Sequence, residues 1–272
     1  MPMIDVNGTT LHYRIDGEGT QTVVMAHGLL MDLSMYDAQL PALRDGYRVL
    51  RYDHRGQGDS AATREGLDMD TLCEDAAALI AALGIAPCHF VGMSMGGFVG
   101  LRLAARHPGL LRSLTLIDTS ATREPWRARL RFHAMRLSAW VVGLGPFIPE
   151  MLRLMFGPST LADPAQQGMV AHWRARLAQR PRAVLRAVKP VVTRRDVSVE
   201  LGNIRCPTLV IVGEEDVLTS PRCAEHMVAH IANAQLVRVP RSGHSANLEA
   251  PERVNAVLRA HLDACSAATH GS

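Results

Sequence analysis

Gly92-Met93-Ser94-Met95-Gly96 sets a serine between two glycines, directly after the apolar run His89-Phe90-Val91 and ahead of a helical pattern over residues 98–105. A serine at a strand-to-helix corner holds a strained backbone that thrusts its hydroxyl out of the turn. A Cβ at either flanking glycine would crowd the neighbouring strand or helix. A hydroxyl becomes a nucleophile only when a base takes its proton, and an acid is needed to orient that base. Among twelve histidines, His107 ends a helical pattern before Pro108, and His172, His226 and His230 fall inside helical patterns. His244 differs: it lies in the polar loop Pro240-Arg241-Ser242-Gly243-His244-Ser245, just after a strand pattern.

The candidate acid is Asp216, in Gly213-Glu214-Glu215-Asp216 beyond another strand end. Glu214, Glu215 and Asp118 are its competitors, and Asp118 is otherwise expected to cap the Thr119-Ser120 turn. The order along the chain is then nucleophile, acid, base. The tetrahedral intermediate of acyl transfer also needs two preorganised donors. The Met95 N–H, at the start of the helix that Ser94 opens, is one candidate. The other is the Leu29 N–H in His27-Gly28-Leu29-Leu30, where Gly28 lets the backbone come close.

These residues require a scaffold of strand ends. Runs over residues 10–16, 21–26, 47–52, 111–117, 207–212 and 234–239 read as strands, alternating with helical patterns such as 69–83, which Gly84 stops. Such alternation specifies an α/β fold with a largely parallel sheet covered by helices. Between residues 123 and 196 the texture becomes helical, rich in Arg, Leu, Met and Trp and broken by Gly and Pro. The expectation is a core of residues 1–122 and 197–272 interrupted by a helical cap over 123–196. A helix over 252–262 closes the chain, and the last ten residues read as a frayed tail.

Together these motifs resemble the α/β-hydrolase family along nearly the whole chain. The matching pieces are His27-Gly28, the run Tyr52-Asp53-His54-Arg55-Gly56-Gln57-Gly58-Asp59-Ser60, the serine turn, Gly213-Glu214-Glu215-Asp216 and Gly243-His244. The resemblance implies a mostly parallel eight-stranded sheet flanked by helices, with a helical cap inserted after strand six. It assigns Ser94 as nucleophile, Asp216 as acid, His244 as base and Leu29 and Met95 as oxyanion donors; Asp53 and Arg55 would fix their own loop. Residues 32–43 and 48–53 are similar to 3-oxoadipate enol-lactonases. His27-Gly28-Leu29-Leu30-Met31 instead has the histidine-glycine form of carboxylesterases and of acyl-homoserine lactonases of this fold. The implied function is a serine hydrolase of esters or lactones working through an acyl-enzyme. An enol-lactonase, a carbon–carbon bond hydrolase and a non-enzymatic ligand receptor on the same fold stand as alternatives.

Composition narrows the rest. With 272 residues, 47% apolar and 20% charged, the chain can bury one large core. Five scattered cysteines without a C-x-x-C pair indicate neither a disulfide framework nor a zinc knuckle. No H-x-x-E-H or clustered ligand set is present, so neither metal nor cofactor is expected. The N-terminal residues lack a secretory pattern and no apolar run approaches a membrane span, which makes the cytoplasm the expected location. A net charge of +3 is too small to indicate nucleic acid. Its distribution is uneven, however: residues 123–195 hold fourteen basic residues against Glu124, Glu150 and Asp163, a net +11. That segment either presents a solvated arginine surface or steers anionic substrates. Leu30, Trp126, Met155 and Trp173 are the expected substrate contacts, with Phe132, Trp140, Phe147 and Phe156 as further apolar candidates. The expected partner is a small ester or lactone, the assembly a monomer or homodimer.

Overall fold

The computed structural model describes residues 2–267. Eight strands form one sheet in the order β1-β2-β4-β3-β5-β6-β7-β8. They are β1 (Met3–Val6), β2 (Thr9–Asp16), β3 (Thr22–Ala26), β4 (Arg48–Tyr52), β5 (Cys88–Met93), β6 (Leu111–Ile117), β7 (Thr208–Gly213) and β8 (Ala234–Val239). β1 pairs antiparallel with β2, and β2 with β4; every later pairing is parallel. The central strands β3 and β5 are buried along their whole length, which explains their continuous apolar sequences. Alternate side chains feed opposite faces of the sheet. Val24, Ala26 and Phe90 join one core layer, while Val23, Met25 and Val91 join the other.

The first layer is closed by α1 (Met69–Ala82) and α2 (Met95–Arg106). α1 starts where the Asp68 carboxylate accepts the Asp70 and Thr71 N–H groups. α2 is buried from Met95 to Ala104, an apolar and glycine run interrupted only by Arg102, which pairs with Asp70. Between β6 and β7 lies a helical insertion that includes α3 (Trp126–Val142), α4 (Ile148–Met155), α5 (Gln167–Ala178) and the short α6 (Val188–Val192). After β7 come α7 (Pro221–His230) and α8 (Pro251–Ala267).

Two expectations change. Residues 3–6, read only as an opening segment, form strand β1. The closing helix continues through Ala267, because Val254, Leu258, Leu262 and Cys265 keep one face buried beyond the expected stop. Residues 268–272 of the expected tail lie outside the described residues. Among the described residues no helix is long and apolar enough to cross a membrane, and all five cysteines are free.

Candidate active site

Ser94 joins β5 to α2 with φ of 50° and ψ of −110°, a left-handed conformation that costs a non-glycine residue about 1–3 kcal/mol. Neighbouring contacts hold it there. Its N–H donates to Ile117 O at 2.9 Å, and Thr119 Oγ1 donates to its carbonyl at 2.8 Å. The glycines answer to close approach. A Cβ on Gly92 would lie 2.3 Å from Gly96 O, and one on Gly96 would lie 1.9 Å from Ala26 O in β3. The corner therefore packs helix on strand more tightly than any side chain permits.

β7 and β8 deliver the other two groups. His244 Nε2 stands 2.9 Å from Ser94 Oγ, and its Nδ1 is 2.9 Å from Asp216 Oδ2. Asp216 Oδ1 accepts the Leu218 and Thr219 N–H groups at 2.8 and 2.9 Å, while Thr219 Oγ1 donates to Oδ2 at 2.7 Å. Burial pulls the Asp216 pKa upward, but His244 and the Thr219 donors outweigh it and hold the carboxyl below its ordinary value. Burial likewise disfavours the His244 imidazolium. The charge and hydrogen bond of Asp216, with Asp118 and Glu249 behind it, more than compensate, so the His244 pKa rises. The imidazole is thus a strengthened base whose Nε2 faces the hydroxyl.

Two supports of this arrangement carry no motif in the sequence. Glu249 is buried and its Oε1 accepts the N–H groups of Gly243 and Ser245, which flank His244, at 2.9 and 3.1 Å. Its Oε2 accepts the Gly157 N–H of the insertion at 2.8 Å. Asp118 is the second. Rather than capping the Thr119-Ser120 turn, its carboxylate accepts Gly213 N–H and Ala246 N–H, both at 2.8 Å. It ties the end of β6 to β7 and to the histidine loop. Burial and the nearby Asp216 charge push its pKa well above the carboxylate range. Among the competitors for the acid, only Asp216 has a hydrogen bond to the His244 ring. Glu215 instead receives Ser159 N–H at 2.9 Å, and Glu214 is exposed.

The loop after β3 reaches the same corner. A Cβ on Gly28 would lie 2.8 Å from Met93 Sδ and 3.6 Å from the Ser94 Cβ, so the loop backbone passes directly over the serine. Leu30 adopts φ of 66°, and its N–H donates to Gln57 Oε1 at 2.7 Å. Gln57 Nε2 donates in turn to Met95 Sδ at 3.4 Å. Leu29 and Met95, the two expected main-chain donors, therefore sit on segments that one buried glutamine joins. Nothing in its sequence context singles Gln57 out except its place in the 52–60 run. Within that run Asp53 accepts Leu33 and Asp59 N–H groups and pairs with His12 at 2.8 Å, and Arg55 pairs with Asp75. Burial lowers the pKa of His27. Neutral, it donates from Nδ1 to Gly28 O at 2.7 Å and accepts the His54 N–H at Nε2.

A cavity of about 150 Å³ opens on Ser94 and His244. Leu30 and Met155 line it as expected, joined by Phe98, Phe132, Met135 and Met151. Trp126 and Trp173 do not. Trp126 is 66% exposed on α3, and Trp173 is 3% exposed because it packs inside the insertion core. Apolar type alone could not separate a helix-packing ring from a cavity wall. Part of the positive charge of the insertion is spent on acids. Arg176 and Arg180 meet Asp32, Arg131 meets Glu150, Arg195 meets Asp70 and Arg194 meets Glu124. Two clusters of metal-capable side chains, Cys73-Glu74-His107 and His12-Asp53-Asp59, lie outside the cavity lining.

Comparison with known proteins agrees with this architecture. The family described as alpha/beta hydrolase fold matches residues 21–251. A protein of Stutzerimonas stutzeri provisionally named carbamate hydrolase RutD is 30% identical over 264 residues, covering 93% of this chain and 96% of the relative. The 3-oxoadipate enol-lactonase 1 of Acinetobacter baylyi is 30% identical over 250 residues, covering 90% of each. A thermophilic esterase from Thermogutta terrifontis superposes with a TM-score of 0.90 at 27% identity, over 97% of this chain and 99% of the esterase. On its sheet order, its strand-end serine and these full-length matches, the chain belongs to the α/β-hydrolase fold family.

Proposed function

We propose that the protein is a serine hydrolase that cleaves carboxylic esters or lactones through an acyl-enzyme. The observation that carries this reading is the pair of 2.9 Å contacts joining Ser94 Oγ, His244 and Asp216 at the mouth of an apolar cavity. Ser94 Oγ attacks the acyl carbon while His244 Nε2 takes its proton, and Asp216 stabilises the imidazolium. The oxyanion is received by the Leu29 and Met95 N–H groups. His244 then protonates the departing alkoxide, and a water that gives its proton to His244 discharges the acyl-enzyme.

Cavity size supports small acyl groups, since a dry cavity of about 150 Å³ accommodates a guest about the size of benzene. The relatives named above are named for a carbamate, an enol-lactone and esters, each of which contains an acyl carbon. Ser94→Ala tests the reading. Hydrolysis of p-nitrophenyl butyrate should vanish while the circular dichroism spectrum is unchanged, and a folded variant with undiminished turnover would remove Ser94 from the chemistry.

A further inference from the structure

The cavity contains one charged pair besides the Ser94 machinery, Arg194 and Glu124. Arg194 lies two residues after α6, is 7% exposed, and lines the cavity together with Ser94 and His244. Its Cζ lies 3.9 Å from the ring centroid of Phe98, one helical turn after Ser94. Only Nη1 is engaged, donating to Glu124 Oε1 at 2.9 Å and to Val191 O at 3.1 Å. Nε is buried without a partner, and Nη2 has none among the described residues.

A guanidinium presents Nε–H and Nη2–H as parallel donors along one edge, spaced for the two oxygens of a carboxylate. Leaving a buried N–H unpaired carries a desolvation cost that a ligand oxygen would relieve. The Glu124 pair ties the two ends of the insertion together, but it uses Nη1 alone and leaves that edge unexplained. The surroundings also favour an anion. Arg102, Arg186, Lys189 and Arg195 line a groove on the other side of α6 that Arg194 shares. Both acids of the groove are engaged: Asp70 is held by Arg102, Arg106 and Arg195, and Asp68 accepts the Asp70 and Thr71 N–H groups.

We propose that the free edge of Arg194 is a carboxylate subsite, and that the preferred substrates are small esters or lactones carrying a carboxylate on the acyl side. This inference rests on the serine-hydrolase reading and narrows it to anionic substrates. It makes Arg194 the residue that sets specificity.

The test compares monoethyl glutarate with ethyl pentanoate, two esters of similar length of which only the first bears the carboxylate. The wild-type enzyme should have the higher kcat/KM for monoethyl glutarate. Arg194→Met should lower that value by about 10–100-fold more than it lowers the value for ethyl pentanoate, the worth of charge-assisted hydrogen bonds. Arg194→Lys, which keeps the charge and loses the fork, should also favour ethyl pentanoate relative to wild type. A wild-type enzyme indifferent to the carboxylate, or equal losses on both esters in either variant, would overturn the subsite. Calorimetry of glutarate binding to Ser94→Ala separates the two readings, because it needs no turnover. Binding that disappears in the Ser94→Ala/Arg194→Met double variant supports the subsite, and binding that persists unchanged refutes it.

Discussion

Replacing Gln57 by leucine deletes both polar atoms and shortens the side chain by one atom. In the wild type, Gln57 Oε1 accepts the Leu30 N–H at 2.7 Å and Nε2 donates to Met95 Sδ at 3.4 Å. The first bond matters more: it is short and holds a residue whose φ of 66° is unfavourable for leucine. Without its acceptor the Leu30 N–H is left unpaired, at a cost of about 1–3 kcal/mol. The peptide can escape that cost only by rotating, which re-aims the adjoining Leu29 N–H. Complete loss of one oxyanion donor costs about 2.7–4 kcal/mol in the transition state, so partial misalignment should fall below that ceiling. The expected result is a kcat about 10–100-fold lower on p-nitrophenyl butyrate, with KM nearly unchanged because the oxyanion exists only after attack. Affinity for a boronic acid transition-state analogue should fall in parallel with kcat, while a ground-state ester analogue binds as before. A folded Gln57→Leu enzyme with wild-type kcat, or one whose loss lies wholly in KM, would refute the argument.

Other perturbations probe neighbouring parts. Because the His244 pKa is raised above 6.5 and catalysis needs the neutral ring, kcat/KM should be lost as pH falls through a limb above that value. Asp216→Asn should move the limb to lower pH, since burial then acts on the ring without the opposing charge, and should cut kcat by about 10⁴-fold if it follows protease triads; an unmoved limb would count against the pair. Asp118→Asn sets an amide N–H₂ against either Gly213 N–H or Ala246 N–H, which predicts a loss of about 1–3 kcal/mol in urea unfolding. An unchanged midpoint would show that Asp118 is dispensable. Acyl-chain length provides a fourth check: p-nitrophenyl butyrate should exceed the dodecanoate by about tenfold or more in kcat/KM, given so small a cavity, and a flat profile would contradict an acyl site of that size.

Sequence exposed the parts whose chemistry forces residue type. Ser94 needs glycine neighbours because helix meets strand there, so the corner is written in consecutive residues. Asp216 follows an apolar run that can only be a buried strand, and β3 to β7 were legible for the same reason; β8, buried only at Val239, was read from its strand pattern alone. β1 was not, since it is four residues long at the sheet edge and only Val6 is buried. Gln57, Glu249 and Thr219 escaped because their roles are fixed by partners 27, 6 and 25 residues away, with no periodicity to mark them. The cavity wall was equally hidden. Trp126 and Trp173 have the composition of a substrate pocket, yet the rotation of α3 and α5 turns one to solvent and the other into packing. Asp118 was noticed, but a carboxylate shared by two main-chain N–H groups on different segments leaves no trace in the adjacent turn.

Glu249 holds the base loop with one oxygen and the insertion with the other. That single carboxylate couples two motions that a hinged lid would otherwise keep independent. Lifting the chain at Gly157 would strip a hydrogen bond from the same group that aligns the imidazole, so substrate admission by that route would disarm the enzyme. Glu215, receiving Ser159 N–H, reinforces the anchor. Gly157 and Ser159, just after α4, are thereby tied to the core, whereas the outer face of α3 meets water at Leu130, Leu137 and Val141.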